Sequence, residues 1–275
     1  MSANCGGGPG PQMGMTGQQL SAIREAIATA GQRGTIASSA PYFSRVFFTA
    51  DATESPAGTF NYAVAQGTER RAFGYAKTDD VPGWPTSLGA AATHGKATSA
   101  DTNLMTKGQT LAGQTVLIQG LACIVQPRSD FEFARNLLSE VSISIGLNGD
   151  NQQMEMGTPL NIPGIGGLYG WGFTGLIPPA LSAAAGSEMA KLGSNGLPDA
   201  NNYRRVPEGL IWRPAGKTDG TLVVRARVER GVAIGPVVER AAAVGIQVFD
   251  PPTQIVCDLM FHLVCIAISD QSVNF

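Results

Sequence analysis

Apolar and polar residues alternate along much of the chain, a two-residue period that is typical of β-strands with one buried face. The stretch 102–126 is different, because it ends in an almost uncharged strand that is apolar on both faces. In an extended chain one face presents Val116, Ile118, Ala122 and Ile124, and the other presents Leu117, Leu121, Cys123 and Val125. We expect this strand in the middle of a sandwich or under a covering helix. Gly120 at its centre predicts a bulge or a close backbone approach.

Turn residues divide the rest of the chain into shorter apolar segments. Pro and Gly residues separate three such segments between 42 and 75, which predicts three strands. Strict alternation over 141–147, followed by Asn148-Gly149, predicts a hairpin with a second strand at 153–156. Further strands are expected at 210–212, 221–229, 246–249 and 253–269.

The first 35 residues are expected to form a flexible arm followed by one short helix. The arm is rich in Gly, Pro and Met. Within 18–30, Leu20, Ile23 and Ile27 recur at helical spacing and form one apolar stripe. Such a helix can dock on its own domain, reach a neighbouring subunit or lie on a membrane face.

Residues 36–275 are expected to form one domain, since neither a repeat nor a composition shift marks a boundary. A capping-box pattern of Ser129 and Glu132 predicts a helix of about ten residues there. Weaker signals predict helices at 178–192 and from Pro236 to Gly245. Long loops are expected at 77–101, 157–177 and 193–209.

Composition restricts the possible classes of function more than any sequence motif does. Charged residues make up 15% of the chain, against roughly 25% in ordinary soluble domains. The low charge fits either a surface covered by assembly or a Gly-rich monomer with many loops. The net charge of −2 argues against nucleic-acid binding, which requires a basic face.

Neither the cysteines nor the N-terminal residues are expected to form a metal, redox or targeting site. Cys5, Cys123, Cys257 and Cys265 have no metal or redox spacing and indicate buried thiols in a reducing compartment. The N-terminal residues lack the features of a signal peptide. The apolar run 255–268 is too short and too polar to span a bilayer.

Catalytic and cofactor motifs are absent from the sequence, so we expect neither enzyme activity nor a cofactor. The stretch 89–96, GAAATHGK, fails as a phosphate loop, because five residues separate its glycines and Ala97 follows the lysine. Asp258 and His262 would be neighbours on a helix. Their context favours a strand, on which they lie roughly 13 Å apart. We therefore expect each of them to be a paired polar group within a sheet.

Arginines and aromatic residues supply the candidate contact residues. Arginine outnumbers lysine 14 to 5, and its planar guanidinium suits ordered interfaces. The same arginines would also fit solvated strand faces, and the sequence leaves both open. The candidate interface residues are Leu20, Ile23, Ile27, Trp84, Trp171, Arg204, Arg205, Arg225 and Arg227.

The segment TNLMTKGQTLAGQTVLIQGLACIV, the helix near Asp130 and the strand VSISIGLNG together resemble major capsid proteins of tailless, membrane-containing icosahedral bacteriophages. The resemblance covers about 60–270. It implies a mainly β antiparallel β-sandwich (jelly roll), single or double, with long loops and a few short helices. The chain length favours a single elaborated sandwich.

The resemblance also implies a structural protein of the virion. Its partners would be copies of itself in trimers or pseudo-hexamers, other capsid proteins and an inner membrane, without specific nucleic-acid binding. Two other functions stay open. A binding or attachment module would recognise a glycan or surface partner through Trp84, Tyr169, Trp171 and Phe173, and an enzyme would use Asp258 and His262.

Overall fold

The computed structural model describes residues 36–38, 42–56, 58–86, 95–110, 114–126, 129–147, 152–162, 168–171, 191–194, 203–212, 221–238 and 252–269. Within these ranges the chain is mainly β, and its antiparallel sheets curl into a half-barrel. The mainly β, antiparallel class expected from the sequence is confirmed. The predicted N-terminal helix, with Leu20, Ile23 and Ile27, lies outside the described residues.

The strands follow the apolar segments of the sequence. In chain order they are β1 (Ile36–Ser38), β2 (Tyr42–Glu54), β3 (Thr59–Val64), β4 (Glu69–Ala72), β5 (Gln114–Val125), β6 (Val141–Leu147), β7 (Gln152–Gly157), β8 (Leu168–Trp171), β9 (Lys191–Ser194), β10 (Arg204–Trp212), β11 (Val223–Val228), β12 (Val232–Val238) and β13 (Gln254–Ser269). The one described helix is α1 (Phe131–Glu140), and a 3-10 turn covers Pro159–Asn161. The three strands expected between 42 and 75 and the hairpin after 141 are confirmed.

The strands form one large, one small and one two-stranded sheet. The large sheet has the order β10-β5-β13-β2-β3-β12, and β1 pairs with β13 beside this path. The small sheet has the order β4-β11-β6-β7, and β8 pairs with β9. The long strand β5 lies inside the large sheet, as expected for a strand that is apolar on both faces.

Strand pairing is nested along the sequence. β2 pairs with β13, β3 with β12, β4 with β11, β5 with β10 and β6 with β7, all antiparallel. Each pair lies inside the previous one, as in one long hairpin. The additional pairings of β5 with β13 and of β6 with β11 fold that hairpin across itself.

One hydrophobic core joins the two larger sheets. Val46 and Phe48 of β2 enter it from the large sheet, and Ile143 and Val224 enter it from the small sheet. All four side chains are buried. Burial from both sides holds the sheets face to face, because apolar area removed from water is the main stabilising term.

Gly120 divides β5 into two parts that face the core differently. Val116 and Ile118 point into the core before it, whereas Leu121, Cys123 and Val125 do so after it. The register of β5 against β13 shifts at this point, between Val264 and Cys265. The expected bulge is therefore confirmed, and the uninterrupted alternation of faces across Gly120 is wrong.

The helix α1 closes one end of the core with Phe133 and Leu137 fully buried. The predicted capping box is wrong, because the N-cap residue is Asp130 and makes no side-chain cap hydrogen bond. Its carboxylate accepts from the Val256 amide at 2.6 Å, and the Ser129 hydroxyl accepts from the Asp258 amide at 2.9 Å. Both side chains bind β13 instead of the helix terminus.

Three further predictions are wrong where the structure describes the residues. Pro236 lies in β12 and does not open a helix, because β12 is an edge strand with a bulge, where proline is tolerated. Lys191–Ser194 is strand β9 and not the end of a helix, while 178–190 lie outside the described residues. Arg204 and Arg205 begin β10 and do not lie in a loop.

The cysteines match their expected state in the part that is described. Cys123, Cys257 and Cys265 are free and buried. Burial raises the pKa of the Cys265 thiol to about 11, so the thiol stays protonated and unreactive near neutral pH. Cys5 lies outside the described residues.

Candidate interaction surfaces

The outer face of the small sheet is polar and holds two of the predicted interface residues. Arg225 of β11 lies opposite Arg71 of β4. Glu69 stands between these like charges, with its Oε1 at 2.7 Å from Arg71 Nε and 3.6 Å from Arg225 Nε. Arg227 is exposed and lies opposite Glu69 in the register.

Arg225 also has a neutral partner on this face. With the amide of Gln153 turned over, its oxygen accepts from the three Arg225 nitrogens at 2.9, 3.1 and 3.2 Å. The amide nitrogen then donates to Ser144 Oγ at 3.2 Å. The charged groups Glu69, Arg71 and Arg225 on this face are therefore paired within the sheet.

Arg204 and Arg205 lie at the edge of the large sheet. They pair in register with Leu121 and Gly120 of β5, and both side chains are exposed. A register shift between Arg205 and Leu210 accommodates the intervening residues 206–209. The loop predicted over 193–209 is therefore wrong at 204–209, where a bulged edge strand tolerates Pro207 and Gly209.

Trp84 is used inside the fold. Its ring packs edge-on against Phe47 with centroids 5.5 Å apart, and the side chain is half-buried. It belongs to a second hydrophobic cluster made of Phe47, Tyr75, Val81, Ala97 and Val256. The described parts of the loop 77–101 therefore cover the outer face of β2 and β13 at this end.

The same loop satisfies the free edge of β2. The Arg45 amide donates to the Asp101 carbonyl at 2.9 Å, and the Phe47 amide donates to the Pro82 carbonyl at 3.0 Å. Gly83 allows this approach, since a Cβ there would lie 2.0 Å from the Phe47 carbonyl oxygen. An edge that is covered in this way cannot pair with another chain.

Sequence reasoning missed a buried charge cluster beneath this loop. Arg45 Nη1 lies 2.9 Å from Asp101 Oδ1, and Arg45 Nε lies 3.1 Å from Asp258 Oδ1, although the second contact is not aligned as a hydrogen bond. The Tyr75 hydroxyl donates to the Arg45 carbonyl at 2.6 Å. Burial is the main reason that the pKa of Tyr75 rises to about 12. A single arginine within the apolar segment YFSRVFF was the available signal.

Asp258 and His262 do not form an acid–base pair. Both lie on the outer face of β13, but Asp258 contacts Arg45, whereas the His262 ring stacks on Phe43 with centroids 5.8 Å apart. Asp258 is a paired polar group, as expected. For His262 that expectation is wrong, because its buried Nε2 has no hydrogen-bond partner among the described residues, and desolvation lowers its pKa.

Beyond Arg45 the outer face of the large sheet is apolar and only partly covered. Register places Ile211, Leu117 and Ile266 in one row across β10, β5 and β13. Further rows add Phe43 beside His262, and Met260 beside Ile124. The apolar half-face consists of Phe43, Leu117, Ile124, Ile211, Met260, His262, Val264 and Ile266, all half-buried.

Tyr203 lies over the middle of the apolar half-face, in the row of Gly120 and Val264, and fixes part of its shape. Its ring packs on Gly120, where an added Cβ would lie 2.0 Å from Tyr203 Cδ2. Gly120 pairs with Val264, so both belong to this outer face. The close backbone approach expected at Gly120 is therefore confirmed.

Several of the predicted contact residues lie outside the part of the chain whose side chains the structure describes. Leu20, Ile23, Ile27 and Phe173 lie outside the described residues. Tyr169 and Trp171 lie on β8, but their side chains are not described.

The described ranges contain neither a metal-binding cluster nor a membrane-spanning helix. No group of three or more His, Cys, Asp and Glu side chains in this part of the chain could hold a metal ion. No helix within it combines the length and apolar character needed to cross a bilayer. In comparisons with known proteins, no family model, no curated protein and no solved structure matches the chain.

Proposed function

We propose that this protein is a structural shell protein that self-assembles through a single jelly-roll domain. The observation that carries this proposal is the nested strand pairing. Numbered one to eight along the chain, the strands β2, β4, β5, β6, β7, β10, β11 and β13 have the order 1-8-3-6 in the large sheet and 2-7-4-5 in the small one. A long hairpin wrapped into two Greek keys has this order, which is the topology of a jelly roll.

The remaining strands fit as additions to that arrangement. β3 and β12 pair with each other and extend the large sheet beyond β2, so they keep the nested order. β1 continues the position of β2 along β13. This interpretation corresponds to one elaborated sandwich per chain.

Assembly is supported by the surface as well as by the topology. The apolar half-face leaves eight side chains only half-buried, and contiguous apolar patches commonly mark contact sites. The low charge of the chain, 15%, is consistent with extensive contacts. Trp84 lends little support to a glycan-binding module, because its ring is packed against Phe47.

The proposed mechanism is geometric. Two sheets around one core give a rigid block, and symmetry repeats the contacts between identical blocks until a shell closes. The partners are copies of this chain in trimers or pseudo-hexamers, other capsid proteins and an inner membrane, within a virion. A jelly roll alone does not determine function, since unrelated activities use the same fold.

The test is the mass and shape of the purified full-length chain, by light scattering and then negative-stain electron microscopy. Closed particles, or trimers and hexamers that tile, are expected. A monomer of 28.6 kDa under every condition would overturn the proposal. Deletion of residues 1–30 should leave the domain folded, judged by the β-sheet signal in circular dichroism, and reduce assembly.

A further inference from the structure

We propose that the apolar half-face is the docking surface for residues 18–30 of this chain. The inference goes beyond the shell function, because the segment can dock within a single copy.

The surface itself is apolar and only partly covered. The described part of the loop 77–101 packs over Phe47 and Val256, at one end of the outer face, and ends near Arg45. Beyond that point the apolar side chains stay half-buried, and His262 Nε2 has no partner among the described residues. Each square ångström of apolar surface removed from water contributes about 25 cal/mol, so covering this area stabilises the protein.

The dimensions of the surface fit one short helix. From Met260 to Ile266 along β13 is roughly 20 Å at about 3.3 Å per residue. The segment 18–30 would be roughly 20 Å long as a helix, at about 1.5 Å per residue. Its diameter of about 10 Å fits on the three strands β10, β5 and β13, which together are roughly 14 Å wide.

The attachment of the chain brings this segment to the surface. β1 pairs with the end of β13, with Ile36 opposite Ser269. Ser269 lies roughly 10 Å along the strand from Ile266. The connecting residues 31–35 span up to about 17 Å, which is enough to return the segment to the half-face.

The connection between β12 and β13 is a less suitable occupant. It enters β13 at Gln254, at the end of the strand where the loop 77–101 already packs. The apolar half-face runs from Met260 to Ile266 along β13, so its centre lies closer to the β1 pairing at 267–269 than to Gln254. Residues 18–30 are therefore favoured over this connection by the position at which their own connection meets the sheet.

The chemistry of the segment complements the surface. Leu20, Ile23 and Ile27 form one uncharged stripe, and Glu25 and Thr29 would lie on the opposite side of the helix. An uncharged stripe suits a surface whose charged and titratable groups are His262, with its pKa lowered by burial, and Arg205 at the β10 edge. Docking in this orientation leaves Glu25 in water and places Arg24 at the border of the stripe.

Disulfide trapping in the full-length chain tests the proposal. The variant combines Cys5→Ser, Ile23→Cys and Val264→Cys, since a disulfide requires Cα atoms within about 7 Å. We expect efficient cross-linking under mild oxidation, mapped to these two positions by peptide mass spectrometry. The matched control replaces Ile23→Cys with Thr29→Cys, and we expect its yield to be several-fold lower.

Every outcome of this experiment decides the proposal. A cross-linked product of monomer mass means docking on the same copy, one of dimer mass means docking on a neighbouring copy, and both support the proposal. Equal yields from Ile23→Cys and Thr29→Cys would overturn it. Dimers joined only between two Val264→Cys positions would also overturn it, because a second copy would then be the occupant.

Folding of the variants is checked by circular dichroism, and Ile266→Cys replaces Val264→Cys if the latter misfolds. The result is independent of the shell function. A monomeric protein can give the cross-link within one copy, and a shell can form without it.

Discussion

On the outer face of the small sheet, Arg71 and Arg225 share Glu69, and Arg227 is exposed. On the outer face of the large sheet, one half is covered by the loop 77–101 and the other half is apolar and only partly covered. Both sheets bury their inner faces in the same core, so the difference concerns only their outer faces. The outer face of the small sheet carries paired charges, whereas that of the large sheet is half apolar.

The covered and uncovered halves of the large sheet extend this comparison. Where the loop packs, buried charges are tolerated, because Arg45 is held between Asp101 and Asp258. Where the loop ends, the outward residues become largely apolar, and the exceptions are His262 and, by register, the exposed Arg205 at the β10 edge. The proposed docking surface thus begins where the loop 77–101 ends.

The largest effect is expected from Arg45→Leu, which removes the charge shared by two buried carboxylates. Breaking a buried ion pair from one side costs about 3–5 kcal/mol, because the remaining charges stay desolvated. Urea unfolding would measure the loss of unfolding free energy. Arg71→Leu on the small sheet is the matched control, since its side chain is 53% exposed. Equal losses for the two variants would contradict the contrast between the faces.

A smaller effect is expected from Gly120→Ala. The added Cβ would lie 2.0 Å from Tyr203 Cδ2 and 2.7 Å from the Arg204 carbonyl oxygen, so both β10 and the ring must move. Overpacking of this kind costs about 1–3 kcal/mol in thermal or urea unfolding. Gly74→Ala, whose nearest contact would be 3.4 Å, is the control and should be nearly neutral. An equally neutral Gly120→Ala would mean that Tyr203 does not pack there.

His262 should give the protein a pH dependence that starts at its ordinary pKa of 6.5. Because burial lowers the pKa in the folded state, the unfolded chain binds the proton more readily, and stability falls as the pH drops below 6.5. Because a single group takes up one proton, the unfolding free energy can change by at most about 1.4 kcal/mol per pH unit. His262→Phe should remove this slope between pH 7 and 5, while His94 is present in both proteins. An unchanged slope would contradict the burial of His262.

The smallest effect is expected from Glu69→Gln on the small sheet. Glu69 is 26% exposed and its nearer partner Arg71 is 53% exposed, and ion pairs that water can reach contribute about 0–1 kcal/mol and are screened by salt. Unfolding free energies at low and high salt should differ less for the variant than for the parent. A loss above about 2 kcal/mol would show that this face is more buried than an exposed pair allows.

Local patterns predicted the fold well where neighbouring residues decide the structure. Strict alternation and Asn148-Gly149 predicted the hairpin of β6 and β7, and the Ser129–Glu132 pattern predicted a helix where α1 lies, although the capping box itself does not form. The prediction failed at Pro236 and at Arg204-Arg205, because tolerance of proline and charge depends on a strand lying at an edge. Edge position is a property of the whole sheet and is not visible locally.

The contact surfaces were less predictable for the same reason. Arg45, Asp101 and Asp258 are distant in sequence, and only the folded loop brings them together. The apolar half-face depends on the bulge at Gly120, which reverses the faces on which the side chains of β5 lie. The sequence predicted the bulge but not this reversal. Trp84 was expected at an interface, but its environment depends on Phe47, which lies far from it in the chain.

The central claim is that the apolar half-face is covered in the native protein while the small sheet is open to water. Thiol labelling of the full-length chain with a water-soluble maleimide tests it, using Val264→Cys and Arg227→Cys in a Cys5→Ser background. We predict fast labelling at position 227, slow labelling at position 264, and faster labelling at 264 when Ile23→Glu is added. Equal rates at the two positions, or a rate at 264 that Ile23→Glu leaves unchanged, would contradict the account.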